Sequence, residues 1–246
     1  MNLLVISDLH LGAFREGDIF GWKSEDFLKK IESVVEENGI DKIVLNGDIF
    51  ELYKYDYKDI CLHHKKLLDY FYKNNAIFIK GNHDTISDGR EAFDMWNRKG
   101  QSIHIEHGHD ADFLSGTALG RWYSKWLHRM IKQLSKKKFL YSIYLKIVAL
   151  DDEINRIPRK YNSYTYLKYA LNLLKKYDVV ILGHTHKIET HKTYYLNGKK
   201  LYLNCGSCSM GRFQAVTLDT ETLRYEIIKL SHEECTVKSE QFKLAA

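Results

Sequence analysis

Short apolar runs, each followed at once by polar residues able to bind a metal or a phosphate, constrain this chain more than any other feature. Five such runs occur, at residues 3–7, 40–45, 76–80, 103–106 and 178–182. The run at residues 3–7 is continuously apolar up to Ser7, which is typical of a strand that is covered on both faces. Helical periodicity, with Ser24 as its predicted N-cap, separates the first two runs, and a tyrosine-rich helical stretch at residues 57–72 precedes the third. Strands that alternate with helices predict an α/β fold with largely parallel pairing.

Asp, Asn and His follow all five runs, in most cases beside a glycine. The segments are Ser7-Asp8-Leu9-His10, Asn46-Gly47-Asp48, Gly81-Asn82-His83-Asp84, His107-Gly108-His109 and Gly183-His184-Thr185-His186. Ligands of open α/β sheets bind outside the carboxyl ends of the strands, so these segments are expected to lie together. Each segment alone is a weak signal, but the ordered set predicts one site for a metal or a phosphate.

The rest of the chain predicts an insertion and a change to antiparallel strands. Residues 112–177 carry no strand pattern and are predicted to form two or three helices. Hairpins are predicted around Asn197-Gly198 and around residues 219–222. The expected organisation is an α/β domain of residues 1–111 and 178–230, an inserted helical cap of residues 112–177, and a C-terminal tail of residues 231–246.

Composition excludes several classes of protein. With 44% apolar residues, one Pro and 15 Gly in 246 residues, the chain is neither disordered nor collagen-like. Four cysteines are too few for a disulfide framework and favour a reducing compartment. The N-terminus has no basic region or cleavage site of a signal peptide, and the apolar stretch at residues 139–150 is far short of the ~20 residues that span a bilayer. These features predict a cytoplasmic protein that is still able to contact a membrane surface.

The net charge of +5 is concentrated in the predicted insertion. Residues 121–177 hold 14 basic and three acidic residues, a net of +11, which leaves −6 for the rest of the chain. Arg121 and Lys125 alternate with Trp122, Tyr123 and Trp126, a pattern typical of a basic amphipathic helix. Such a helix suits anionic lipid headgroups or, as the weaker alternative, a nucleic-acid backbone. Arg121 and Lys125 are therefore predicted to bind a phosphate-bearing substrate.

The ordered motifs resemble those of the calcineurin-like metallophosphoesterases, over residues 1 to about 217. The resemblance implies a four-layer αββα sandwich with a dinuclear metal site. By this resemblance, Asp8, His10 and His186 hold one metal, Asn82, His107 and His184 hold the other, and Asp48 bridges the two. Carboxylate, imidazole and amide ligands suit Mn²⁺ best here, with Fe²⁺ or Zn²⁺ as alternatives.

The same resemblance implies how a phosphoester bond is hydrolysed. A hydroxide that bridges the two metals attacks phosphorus, and the metals neutralise charge on the phosphoryl oxygens. His83 is then expected to act as the general acid for the leaving oxygen or to stabilise the transition state, with Asp84 holding its ring. His109 either contacts a substrate phosphate or supports the metal ligands. Six further histidines match no motif and are expected at the surface: His63, His64, His104, His128, His191 and His232. Cys205-Gly206-Ser207-Cys208 is expected to be a glycine turn near the site rather than a zinc site.

Within that superfamily, the layout resembles the UDP-2,3-diacylglucosamine pyrophosphohydrolases. Asp8-Leu9-His10-Leu11, Gly47-Asp48-Ile49-Phe50-Glu51 and the basic helical insertion carry this resemblance. It implies hydrolysis of a pyrophosphate bond in a UDP-linked lipid, although those enzymes usually have Arg where this chain has His83. A phosphodiesterase, a nuclease or a protein phosphatase of the same superfamily is the alternative. A non-enzymatic scaffold is disfavoured because all seven ligand positions and His83 are present.

Overall fold

The computed structural model describes residues 1–15, 17–85, 87–111, 160–195, 198–231 and 240–241. The helices are α1 (Ser24–Glu37), α2 (Tyr57–His63), α3 (Lys65–Lys73) and α4 (Lys160–Leu173), and a 3₁₀ turn spans His109–Ala111. The strands are β1 (Asn2–Ile6), β2 (Lys42–Asn46), β3 (Ile77–Ile79), β4 (Ala92–Trp96), β5 (Ser102–Glu106), β6 (Val179–Leu182), β7 (Ile188–Tyr195), β8 (Gly198–Cys205), β9 (Arg212–Asp219), β10 (Tyr225–Ser231) and β11 (Glu240–Gln241).

The strands form two mixed sheets. The order in the first sheet is β11-β10-β9-β1-β2-β3, with β1, β2 and β3 parallel and β9 antiparallel to β1. The order in the second is β4-β5-β6-β8-β7, with β5, β6 and β8 parallel. The five strands that the sequence predicts for the α/β half are therefore split between two sheets, and their parallel pairing is confirmed within each.

The two sheets pack face to face through alternate residues of their strands. Val5 and Val44 of the first sheet and Ile105 and Ile181 of the second belong to one buried apolar cluster between the sheets. The intervening residues of β1, such as Leu4, point to the opposite face, as the two-residue repeat of a strand requires.

Helices cover the outer faces of both sheets. Phe27 of α1 and Phe71 of α3 are fully buried against the first sheet. On the second sheet, Ala170 of α4 and the following Leu174 pack on Val180, Leu182 and Tyr202. The predicted four-layer αββα sandwich is confirmed. Among the described residues, no helix is both long and apolar enough to cross a membrane.

The predicted helix at residues 57–72 is interrupted at His64. This side chain is fully buried, which differs from the surface position expected for it. Its Nδ1 lies 2.7 Å from Ser24 Oγ and its Nε2 lies 3.0 Å from the carbonyl oxygen of Gly12. Ser24 is therefore not an N-cap; it is the first residue of α1, and its hydroxyl bonds to His64. Burial lowers the pKa of His64, which keeps the ring neutral for these two bonds.

Strand β4 is an element that the sequence analysis did not assign. It pairs antiparallel with β5, with Phe93 and Met95 packed between the sheets and Trp96 exposed. A single short edge strand with one acidic residue gives little periodic signal. The turn at Asn197, residues 112–159 of the insertion, and most of the tail lie outside the described residues, although Glu240–Gln241 pairs with β10.

His104 lies on the outer face of the second sheet, where its buried ring contacts two acids, the exposed Asp94 and the partly buried Glu106. Its Nδ1 lies 2.5 Å from Asp94 and its Nε2 lies 2.9 Å from Glu106, while Tyr177 stacks on the ring at 4.3 Å. Burial alone would lower the pKa of His104, but the two carboxylates outweigh it and raise the pKa. A surface position was expected for His104 from the sequence, but its side chain is buried.

This cluster predicts a stability that depends on pH. Because the folded-state pKa of His104 is raised, its contribution is complete below the unfolded pKa of about 6.5 and is lost as pH rises through the folded pKa. We expect His104→Gln to lower the free energy of unfolding at pH 6 by about 1 kcal/mol, which corresponds to a Tm decrease of roughly 2–4 °C in a chain of this size. The decrease in Tm should be smaller at pH 9. Thermal melts of the parent chain and of His104→Gln between pH 6 and pH 9 test this prediction, with substitution of the half-exposed His191 (His191→Gln) as the control. A difference in Tm between parent and variant that grows with pH would contradict it.

Candidate metal centre

The polar segments that follow β1, β2, β3, β5 and β6 meet at one edge of the sandwich. Backbone hydrogen bonds continue past the strand ends and align the segments, from Asp8 N to Gly47 O at 3.0 Å and from His10 N to Asp48 O at 2.9 Å. The two sheets are joined at this edge by a bond from His184 N to Asp8 Oδ2 at 3.1 Å. The fold therefore brings side chains from both sheets to one point.

Several residues of this edge have left-handed backbone conformations. Positive φ angles occur at Asp8 (54°), His10 (50°), Asp48 (52°), His184 (68°) and His186 (54°). A non-glycine residue in this region costs of the order of 1 kcal/mol or more, and such residues concentrate at functional sites. These turns therefore keep a strained backbone conformation that directs their side chains toward one another.

Two glycines allow the close approach of these turns. Gly47 has a φ of 82°, and a Cβ on it would collide with the His107 ring. A Cβ on Gly81 would collide with the carboxylate of Asp48. The glycines beside the polar residues are therefore required by the packing of the site, which explains why the motifs contain them.

One group of ligand atoms is formed by Asp8, His10 and His186. These atoms all lie within 4.8 Å of one another. His186 Nε2 is 3.1 Å from Asp8 Oδ1 and 3.3 Å from His10 Nε2. Asp8 and His10 are buried, whereas the His186 side chain is 32% exposed, so this group faces solvent on one side.

A second group is formed by Asp48, His107 and His184, within the same 4.8 Å limit. His107 Nε2 is 3.2 Å from Asp48 Oδ2, and the rings of His107 and His184 are 5.1 Å apart. Asp48 Oδ2 is also 3.9 Å from His10 Nε2 of the first group. Asp48 therefore lies between the two groups, in the position that a bridging carboxylate needs.

Unsatisfied buried atoms test whether these residues suit a cation. Asp8 Oδ1, Asn82 Oδ1 and His107 Nε2 are buried and have no hydrogen-bond partner among the described residues. Two of these atoms lie close to another ligand atom but lack the geometry of a hydrogen bond. Buried polar atoms without partners are costly, and atoms that converge without bonding to each other are typical of a cation site. The residues fit a pair of divalent ions.

Two of the buried imidazoles are oriented by hydrogen bonds at Nδ1. His10 Nδ1 lies 3.2 Å from Glu51 Oε2, and His107 Nδ1 lies 2.8 Å from the carbonyl oxygen of Asn46. Both rings therefore present Nε2 to the centre, as metal-binding histidines usually do.

The carboxylates are held ionised by the imidazoles around them. Burial alone would raise the pKa of Asp8, but His186 and His107 outweigh it and lower the pKa to about 2. Burial also opposes ionisation of Asp48, yet His107 and His83 hold its pKa well below the usual range. Burial alone would lower the pKa of His107, but Asp48 and Asp8 raise it to about 10. A cation at His107 Nε2 would therefore displace a proton.

His83 is oriented by Glu51 rather than by Asp84. His83 Nδ1 lies 2.9 Å from Glu51 Oε1, and Glu51 is fully buried. The expectation that Asp84 holds this ring therefore needs correction. Asp84 instead accepts backbone N–H groups, including Gly81 N at 2.6 Å and Ile49 N at 2.8 Å, because its side chain points into the loops. Burial and then the neighbouring Asp48 raise the pKa of Asp84 to about 6.

Of the remaining predicted site residues, His109 lies among the described residues, whereas the two basic residues of the insertion do not. His109 lies near the second group, with its ring 5.6 Å from His107 and 6.4 Å from His184. Burial, together with those two rings, lowers its pKa to about 4, so it is neutral. Arg121 and Lys125 lie outside the described residues.

The segment after β8 forms a turn beneath Asp8. Gly206 has a φ of 76°, and its carbonyl oxygen accepts a hydrogen bond from Ser7 Oγ at 3.0 Å. Ser207 Oγ donates to Asp8 O at 3.2 Å. Cys205 and Cys208 are buried free thiols. The turn therefore supports the strand end that carries Asp8.

Glu51, Tyr53 and Tyr166 are site neighbours to which sequence reasoning gave no role. Glu51 contacts both His10 and His83, Tyr53 packs edge-on to His83 at 4.6 Å, and Tyr166 packs on His184 at 5.5 Å. Glu51 had a usable signal, a charged residue in an otherwise apolar run after Asp48. Tyr166 had none, because tyrosines are frequent throughout the insertion.

Comparison with known proteins agrees with this fold. A dimetal phosphatase from Danio rerio is 12% identical, with a TM-score of 0.52 over 99% of this chain and 99% of that chain. A double mutant of Vps29 from Entamoeba histolytica is 19% identical, with a TM-score of 0.50 over 100% of both chains. At these identities the likeness shows the fold alone, and no curated protein matches the chain. The family model described as calcineurin-like phosphoesterase matches residues 1–188, and the chain therefore belongs to that family.

Proposed function

We propose that this protein is a metal-dependent phosphoesterase that hydrolyses a phosphodiester or a pyrophosphate bond. The proposal is carried by one observation: two buried carboxylates and several imidazoles converge, with donor atoms that lack hydrogen-bond partners. A donor set of carboxylate, imidazole and amide oxygen suits borderline divalent ions. Mn²⁺ is the ion we favour, and Fe²⁺ and Zn²⁺ fit the same donors.

The ligands divide between two ions as their positions suggest. In this proposal the first ion takes Asp8, His10 and His186, the second takes Asn82, His107 and His184, and Asp48 binds both. When bound, the ions supply positive charge to the phosphoryl oxygens and acidify the attacking water. Glu51 and the Asn46 carbonyl keep two of the imidazoles turned toward the centre.

His83 is proposed as the general acid. Its Nδ1 is engaged by Glu51, so Nε2 is the atom from which a proton would pass to the leaving oxygen. The side chain is 16% exposed, beside a centre whose carboxylates are buried, which leaves it accessible to a substrate. Glu51 fixes the ring and stabilises its protonated form.

The finer proposal for the substrate is a UDP-linked lipid. It rests on the Gly47-Asp48-Ile49-Phe50-Glu51 segment and on the basic, aromatic residues 121–177, among which Arg121 and Lys125 would contact phosphate. The same residues would let the protein bind anionic lipid at the cytoplasmic membrane surface. A nucleic-acid strand is the competing phosphodiester.

A substrate screen tests the proposed function. The purified protein with Mn²⁺ is assayed on a phosphomonoester, bis-p-nitrophenyl phosphate, a UDP-linked lipid and single-stranded DNA, with EDTA as control. We expect hydrolysis of a diester or pyrophosphate that EDTA abolishes. Turnover of the UDP-linked lipid, with binding to anionic but not neutral vesicles, supports the finer proposal, whereas DNA cleavage opposes it. Two bound ions with no hydrolysis of any substrate would overturn the enzymatic proposal itself.

A further inference from the structure

Helix α4 places a tyrosine directly against the second group of ligands. The ring of Tyr166 lies 5.5 Å from the ring of His184, at an angle of 61°. Tyr166 is 5% exposed, although His184 itself is partly exposed. The Tyr166 ring therefore packs against one side of the His184 ring.

The position of Tyr166 follows from the direction of α4. The short connection after α4 leads straight into β6, so the N-terminal half of the helix lies near the carboxyl end of that strand, where His184 is. Tyr166 and Ala170 are four residues apart and share one face of the helix. Ala170 and Leu174 on that face are buried against Val180 and Leu182, which brings Tyr166 to the strand end.

A second contact fixes the helix on the sheet. Tyr169, three residues after Tyr166, packs against the apolar cluster of Ala170, Leu174 and Val180. It also lies close enough to the carboxylate of Glu106, at the end of β5, to interact with it electrostatically. These contacts hold α4 against the second sheet.

We propose that Tyr166 is a positioning residue that holds His184 in its metal-binding orientation and so sets the affinity of the second ion. Only the affinity for the second ion should then depend on α4. Among the described residues, the first group of ligands has no comparable contact with this helix. The inference rests on the proposed pair of ions but not on any particular substrate. It also gives the helix that ends the insertion a direct part in assembling the centre.

The experiment measures metal affinity rather than turnover. Mn²⁺ is titrated calorimetrically into the metal-free full chain, into Tyr166→Ala and into Tyr166→Phe. Loss of the ring in Tyr166→Ala is expected to lower the affinity for one of the two ions by roughly 10-fold. This is the lower end of the loss seen when a residue that orients a metal ligand is removed. Tyr166→Phe keeps the ring and should restore the affinity. Tyr164→Ala, an exposed tyrosine of the same helix at 67% exposure, is the matched control.

Two backgrounds identify which ion is affected. In His186→Ala the first group lacks a ligand, so the ion that still binds tightly is the second. Adding Tyr166→Ala to this variant should lower the affinity for that second ion. In Asn82→Ala the second group lacks a ligand, so the ion that still binds tightly is the first. Adding Tyr166→Ala should leave the affinity for this first ion unchanged. If Tyr166→Ala unfolds the chain, Tyr166→Leu replaces it, with circular dichroism to verify folding.

The outcomes separate this inference from the proposed function. Unchanged affinities for both ions in Tyr166→Ala, or equal losses in the two backgrounds, would overturn the role of Tyr166. Equal weakening in Tyr166→Phe would show that the hydroxyl, not the ring, supports His184, and would also overturn it. A selective loss in a protein that hydrolyses nothing would uphold the inference while the proposed function fails. A parent chain that binds one ion would overturn both.

Discussion

Asp48→Asn is expected to lower hydrolysis by about 10³-fold or more and to abolish binding of the second Mn²⁺. Asp48 lies between the two groups, 3.2 Å from His107 Nε2 and 3.9 Å from His10 Nε2, so its charge would be shared by both ions. An amide has the same shape but no charge to place between two cations. Loss of several kcal/mol of electrostatic stabilisation corresponds to a rate loss of this size.

The fold itself should survive this change. Asp48 Oδ1 accepts the backbone N–H of His83 at 2.8 Å, and the amide oxygen of asparagine can accept the same bond. Steady-state kinetics and calorimetric metal titration measure the effect, and Asp41→Asn, an exposed carboxylate in the loop before β2, is the control. If Asp48→Asn bound two ions with the parent affinity, Asp48 would not be the bridge.

His83→Ala is expected to lower kcat by about 10²- to 10⁴-fold while both ions still bind, because general acid catalysis contributes that range. The loss should be greatest for substrates with poor leaving groups and smaller for p-nitrophenol, whose oxygen needs no proton to leave. Glu51→Gln should give a smaller loss of kcat, since the ring remains but its protonated form is no longer stabilised by the carboxylate at 2.9 Å.

The control for His83 is a more exposed histidine outside the ligand groups. His191 of β7 is 44% exposed and stacks on Tyr202 away from the ligand groups, so His191→Ala should retain the parent kcat. Calorimetry on the same samples checks that both ions are present. Full turnover of an alkyl diester by metal-loaded His83→Ala would contradict the assigned role.

The sequence predicts the alternating strands and helices and the meeting point of the polar segments because both follow from local patterns. Apolar runs such as residues 3–7 report buried strands, and the rule for parallel strands brings Asp8 and His184 to one edge although they are 176 residues apart. The division of the strands between two sheets is not local. It follows in the sequence analysis from the resemblance to a family rather than from periodicity.

The parts that sequence reasoning predicted wrongly depend on packing between distant elements. Asp84 is the nearest acid to His83 in the chain, yet Glu51 reaches that ring because the loop after β2 packs against the loop after β3. His64 and His104 resemble surface histidines by their neighbours, and both are buried against partners from other elements. The contact of Tyr166 with His184 likewise exists only once α4 is docked.

The central claim is that one centre holds two ions and that hydrolysis needs both. Metal-free protein is titrated with Mn²⁺, and bound ion and hydrolysis of bis-p-nitrophenyl phosphate are measured in the same samples. The account predicts two ions per chain, with hydrolysis rising as the second is bound and a release of protons from His107 on binding. Saturation at one ion per chain, or full hydrolysis in excess EDTA, would contradict it.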